Sequence, residues 1–283
     1  MRAVAVSYLV LLSIGGCTAQ TSPATPREPT SGKLYQFNEA QVDACLSELA
    51  AKEPDVARRA AILARSNIGQ PYKLGLLGEA PFELYDPDPL YCLSASDCVT
   101  FVEQTFAMAM SHDWPTFFQN LQRIRYKDGR IGMLTRNHFT EADWNVNNAW
   151  VFDDVTAKLG AQTRPLRITI DRAAFFAKFK IGQGIPVQHF ETVFVPRDQL
   201  SKAEGQLRDA DIIEIVRGTE KAPYIGHLGI ILHDEHGHVT MIHSGKPAVH
   251  ESDLEGYVRD HANIIGFKFL RMRPSTGGAG ATR

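Results

Sequence analysis

The chain has 283 residues, 44% of them hydrophobic and 22% charged, with a formal net charge of −2. That is ordinary globular composition, and the length suffices for one large domain or two small ones. The balanced charge excludes the basic stripe of a nucleic-acid-binding chain; only short clusters such as Arg123, Arg125, Lys127 and Arg130 interrupt it.

Arg2 precedes an apolar run from Ala3 to Leu12, broken by Ser7 and Tyr8, and Ile14-Gly15-Gly16-Cys17 follows. So short a run cannot span a ~30 Å hydrocarbon core and reads as an export signal. Ile-Gly-Gly-Cys resembles the cleavage box of bacterial lipoproteins, in which the cysteine becomes the lipidated first residue. The resemblance implies a signal over 1–17 and a lipid on Cys17. It also implies an exported lipoprotein on the outer membrane, facing the periplasm. A plain signal peptide with a chance cysteine is the alternative. Residues 18–33 are rich in Thr, Ser and Pro and read as a flexible tether with a reach of roughly 20–25 Å. Residues 274–283 read as a disordered tail. One continuous domain, 34–273, is expected between them.

Of the four cysteines, Cys45, Cys92 and Cys98 remain in such a mature chain. An odd number leaves at least one thiol reduced. A Cys45–Cys92 bridge with Cys98 reduced is one reading; three thiols, two of them buried, is the other.

Within the domain, Asn38 to Ser47 and Glu53 to Ser66 read as helices, the second with Val56, Ala60, Ile62 and Leu63 at helical spacing. The turn formers Gly75, Gly78, Pro81, Pro87 and Pro89 make 73–96 a flap, expected to cover one side of a cleft. Val99, Val102, Phe106 and Met110 then mark one helical face, with Ser96 or Asp97 as N-cap. Helical signals continue from Trp114 to Tyr126. Strands are expected at 166–170, 188–195, 212–216, 226–232, 239–243 and 266–272. Helices followed by strands predict an α+β fold around an antiparallel sheet.

Cys98 opens its helix. There it meets unpaired N–H groups and the positive end of the dipole, which can draw a thiol pKa into the range ~3.5–7.5. A thiolate so placed is a nucleophile; a small packed residue is the plainer alternative. Among ten histidines, His227 heads the apolar strand His-Leu-Gly-Ile-Ile-Leu, and His243 ends the next. A hairpin centred on residue 235 sets the two directly opposite, and one centred on 236 sets them diagonally on one face. A centre halfway between separates them. On one face, one ring can act as base while the other orients it.

Five segments occur in order: Gly69-Gln70-Pro71-Tyr72, Ser96-Asp97-Cys98-Val99-Thr100-Phe101, Leu207-Arg208-Asp209-Ala210-Asp211-Ile212-Ile213, Gly226-His227-Leu228-Gly229-Ile230 and Met241-Ile242-His243-Ser244. Together they resemble the NlpC-type papain-like cell-wall hydrolases. Arg123-Ile124-Arg125-Tyr126 and Thr135-Arg136-Asn137-His138-Phe139 with Trp144 resemble the N-acetylmuramoyl-L-alanine amidase-like branch, over about residues 60–270. The resemblance implies a papain-like fold with the nucleophile at a helix N-terminus. It implies Cys98 as nucleophile, His227 as base, His243 as orienting residue and Tyr72 as oxyanion donor. The Tyr72–Cys98 gap is longer than in compact members. Ala210-Asp211 replaces their Gly-Asp turn.

Arg136 and His138 are candidates for binding a muropeptide carboxylate; Arg136 paired with Asp143 is the structural alternative. His233, His236 and His238 beside Asp234 and Glu235 read as a solvated turn, not a zinc site. No metal or organic cofactor is implied, and no nucleic-acid partner. The expected substrate is peptidoglycan or a muropeptide, cleaved between muramic acid and L-alanine. A γ-D-glutamyl-diaminopimelate endopeptidase and a non-catalytic cell-wall binding lipoprotein are the alternatives.

Overall fold

The computed structural model describes residues 32–274. The export signal, Cys17, nearly all of the tether and nearly all of the tail lie outside them.

Four helices come first. Asn38 caps α1 (Glu39–Lys52) through a reciprocal box with Gln41. Asp55 caps α2 (Val56–Ser66), Asp97 caps α3 (Cys98–Ala109) and Asp113 caps α4 (Trp114–Arg125). Each carboxylate or amide accepts from an N–H that the helix leaves unpaired. α1 outruns its expected end at Ser47, helped by a Glu48–Lys52 pair one turn apart. α3 is buried on every side from Thr100 onward, which fixes Cys98 on a rigid support.

The strands are β1 (Phe152–Asp154), β2 (Arg164–Ile170), β3 (Gln188–Pro196), β4 (Ile212–Thr219), β5 (Ala222–His233), β6 (Val239–Ser244), β7 (Val249–Asp253) and β8 (Ile264–Met272). They form one sheet in the order β2-β3-β8-β4-β5-β6-β7, with β1 on β8. Every pairing is antiparallel. Alternation splits the sheet into two apolar faces. Leu228, Ile230 and Ile242 pack with Phe101 and Val102 of α3. Ile213, Ile231, Met241 and Phe267 pack with Leu254 and Val258 of the short helix Leu254–Asp260. The α+β architecture thus matches the sequence expectation, although β1 and β7 were not among the expected strands.

The 73–96 segment has its own small core of Leu76, Leu77, Cys92 and Ala95. Arg125 holds it through Leu90 O (2.9 Å). Cys45 packs against the main core instead. The two cysteines therefore belong to different clusters, and of the two readings the Cys45–Cys92 disulfide is not formed.

Candidate active site

The start of α3 is stitched to the strand ends by the first two sequence segments. Tyr72 N donates to Pro247 O (2.9 Å), Lys73 N to Ser96 O (3.0 Å) and Ser96 N to Pro71 O (3.1 Å). Beneath them Ser96 Oγ lies 2.7 Å from Gln70 Oε1 and 3.0 Å from Ser244 Oγ. Ser244 Oγ in turn donates to Ser96 O (2.9 Å). This buried, satisfied network fixes Cys98 relative to the end of β6.

On β5, Ile215 pairs with His227 but Val216 with Ile225, so Gly226 is bulged. The bulge re-aims the strand just before His227. A Cβ on Gly226 would meet Arg217 Cδ at 2.6 Å, so only glycine lets Arg217 lie across the strand. The β5–β6 pairs Ile230↔Ile242 and Ile231↔Met241 centre the hairpin on residue 236. His227 and His243 are thus diagonal on one face, and their rings close the gap: His227 Nε2 lies 2.8 Å from His243 Nδ1. His243 Nε2 is 3.2 Å from Ser252 Oγ on β7. If each neutral ring donates outward along this chain, His227 Nδ1 is left as a bare acceptor.

Burial pushes the Cys98 thiol up to about 11, and the Asp97 carboxylate adds to this. The backbone N–H groups of Leu228, Val99 and Cys98 itself act the other way. The expected depression at a helix start is therefore overruled: the site is desolvated, and the capping carboxylate offsets the dipole. Burial likewise lowers His227 to about 4, assisted by Arg217, His250 and His261. His243 falls to about 2 by burial and the neighbouring rings. Thiol and imidazole are accordingly both neutral at rest.

A cleft of about 730 Å³ opens on this cluster, lined by Tyr72, His227, His243 and Ser252, with Arg217, Lys246, His250, Tyr257, Arg259 and His261 among its other walls. Burial and the nearby Cys98 and Asp97 raise the Tyr72 hydroxyl, which stays a protonated donor at neutral pH. Tyr257 stands edge-on to His243, with ring centres 5.1 Å apart, and stacks on His261 at 4.1 Å. No residue of 73–96 lines this cleft; the flap touches the site through Gly75 N and the Asp97 carboxylate (3.3 Å).

Arg136 and His138 lie elsewhere. Arg136 holds the flap through Leu77 O (2.8 Å), Glu79 (3.1 Å) and Asp86 (2.7 Å). Asp143, its expected alternative partner, binds Arg172. His138 Nε2 bonds Met133 O (2.7 Å), and its ring packs on Phe175 and Phe176. Neither is among the residues lining this cleft, and the contacts that hold both are intramolecular. His233 and His238 pair with Asp209 and Asp234 at the hairpin tip. Among the described residues no three His, Cys, Asp or Glu side chains converge as metal ligands. Arg217, His250, Ser252, Tyr257 and His261 were missed. Gly226, a glycine inside a strand pattern, was the available signal for Arg217.

A sheet of antiparallel strands packed on a capped central helix, with clustered histidines at one end, defines an α+β protein with a polar cleft. The chain belongs to the AmiA-like family, described as N-acetylmuramoyl-L-alanine amidase-like, which matches residues 63–265. Its fold is similar to that of a Legionella pneumophila protein of the family model DUF1460. The TM-score is 0.71 and the identity 22%, covering 84% of this chain and 97% of that one. An N-acetylmuramoyl-L-alanine amidase from Bacteroides uniformis gives 0.61 and 22%, covering 77% and 99%. A putative xylanase from Bacteroides fragilis gives 0.59 and 23%, covering 74% and 99%. At such identities the likeness establishes the fold alone. No curated protein matches the chain significantly.

Proposed function

We propose that the protein is a cysteine-dependent amide hydrolase of the NlpC-type, papain-like class. It cleaves the bond between N-acetylmuramic acid and L-alanine in peptidoglycan or its fragments. The reading is carried by the 2.8 Å His227–His243 contact, with the N–H of Leu228, the residue after His227, acting on the thiol of Cys98, the first residue of α3. Family membership supports the substrate class.

In this reading His227 Nδ1 takes the Cys98 proton as sulfur attacks the lactyl carbonyl, turning a neutral pair into thiolate and imidazolium. His243 accepts from His227 Nε2–H and steadies the new charge. The Cys98 N–H and the Tyr72 hydroxyl face the oxyanion. The imidazolium then protonates the leaving L-alanine amine. Water, deprotonated by His227, hydrolyses the acyl-enzyme and frees the lactyl carboxylate. The export signal, the lipid on Cys17 and the outer-membrane location complete the proposal.

Incubating muropeptides with wild type and with Cys98→Ala and His227→Ala tests it. Hydrolysis should vanish in both folded variants. Full activity in Cys98→Ala would sink the cysteine mechanism.

A further inference from the structure

Arg217 is a half-buried cation with little to hold it. Its Nη2 donates to the Tyr257 hydroxyl (3.1 Å), its Nε is buried with no partner, and it lines the cleft beside His227. The nearby carboxylates are engaged elsewhere: Asp253 caps the short helix through Gly256 N (2.6 Å), and Asp260 lies 3.7 Å from Arg259. Leaving a guanidinium desolvated and unpaired is costly. Yet the chain makes room for it with a glycine bulge at 226. Lys246 adds a second cation to the same cleft. An anion is what this wall lacks.

We propose that Arg217 binds the free α-carboxylate of the second stem-peptide residue, one residue beyond the L-alanine whose amine leaves. This rests on the amidase reading above. In a stem whose second residue is D-glutamate linked through its γ-carboxyl, the α-carboxylate is free. One residue spans about 3.3–3.6 Å of chain, and Arg217 and Tyr257 line the same cleft as His227. A guanidinium meets a carboxylate with two parallel N–H bonds. Nε is buried, so the fork that can face the cleft is Nη1 with Nη2, the latter held in place by the Tyr257 hydroxyl. Occupancy also acts on the chemistry. The Arg217 charge disfavours a protonated His227; a bound carboxylate offsets that charge as the imidazolium forms. Arg217 thus contributes to kcat as well as KM.

The test uses two muramyl tripeptides that differ only in whether the α-carboxyl of the second residue is free or amidated. Wild type should cleave the free-carboxylate form about ten- to a hundredfold better in kcat/KM, the range one charge-assisted contact supplies. In Arg217→Gln the ratio should collapse towards one, and Arg217→Lys should lie between. Circular dichroism and Cys98 alkylation check that the variants are folded. Equal cleavage of the two tripeptides by wild type overturns the inference and leaves the amidase reading intact. So does a wild-type ratio in folded Arg217→Gln. If wild type releases an L-alanine-led peptide from neither tripeptide, the amidase reading fails and the inference with it. Should Arg217→Gln not fold, the wild-type comparison still decides.

Discussion

His227 Nε2 and His243 Nδ1 lie 2.8 Å apart, so the two rings share one proton and the tautomer of one dictates that of the other. Only with that proton on His227 is its Nδ1 free to accept from Cys98. The His243 position is thereby open to graded substitution. Asn or Gln still offers an oxygen to His227 Nε2–H, and Ala does not. Activity should fall in the order wild type, His243→Asn or His243→Gln, His243→Ala. Alanine should lose roughly ten- to a hundredfold, mainly in kcat, the worth of one hydrogen bond to a group that becomes charged. Steady-state kinetics with a parallel stability check reads this. A folded His243→Ala with wild-type kcat would make His243 a mere strand residue.

Ser252 lies beyond, 3.2 Å from His243 Nε2. Accepting there favours the productive tautomer. Ser252→Ala should cost about two- to tenfold in kcat, in line with a neutral hydrogen bond. An unchanged kcat would remove Ser252 from the chain.

Cys98 is pushed up to about 11 by burial and Asp97, so it needs His227 to ionise at neutral pH. Alkylation of Cys98 followed by mass spectrometry should proceed near pH 7 in wild type. In His227→Ala, which lacks that proton acceptor, the alkylation rate at pH 7 should fall by about tenfold or more. Equal labelling of the two proteins at pH 7 would mean that the thiol does not depend on that imidazole.

His138 tests the acid limb of stability. Burial lowers it to about 4 from 6.5, so between these values the unfolded chain binds more protons than the folded one. Its contribution is complete above about pH 6.5 and is lost as pH falls towards 4, at about 1.4 kcal/mol per pH unit. His138→Gln keeps a donor for Met133 O and does not titrate. Urea midpoints from pH 7 to pH 5 should fall less steeply in the variant than in wild type. Identical slopes would contradict the lowered value.

Lys268 is fully buried, 2.6 Å from Asp154 and opposite Glu214 in the sheet. Burial raises both Glu214 and its neighbour Glu141. Lys268→Met strands these acids and should destabilise the fold by about 3–5 kcal/mol. Adding Glu214→Gln should recover part of the loss, as residues in one network couple. Additive losses in urea unfolding would show the two to be independent.

The helices and most strands were legible because their apolar residues recur with clear periods and their caps are Asn or Asp. β7 was not: Val249-His250-Glu251-Ser252-Asp253 carries a single apolar residue, since it ends the strand order and pairs only with β6. Ser252 and His250 were hidden with it. The proposed trio Cys98, His227 and His243 was readable from order and spacing, but which hairpin register holds was not, because it depends on the loop. The Arg136 contacts were not legible because a cation's partner is set by tertiary contact. Its carboxylates, Glu79 and Asp86, lie 57 and 50 positions earlier in the chain. The Cys98 pKa was misjudged because the helix start was weighed without the burial around it.

Mass spectrometry of the products from a purified muropeptide, formed in ¹⁸O-water, tests the central claim most directly. Attack by Cys98 on the lactyl carbonyl should yield a sugar bearing a free lactyl carboxylate with one ¹⁸O. The companion product should be an unlabelled peptide that begins with the L-alanine amine. Cleavage after γ-D-glutamate with the lactyl amide intact would contradict it.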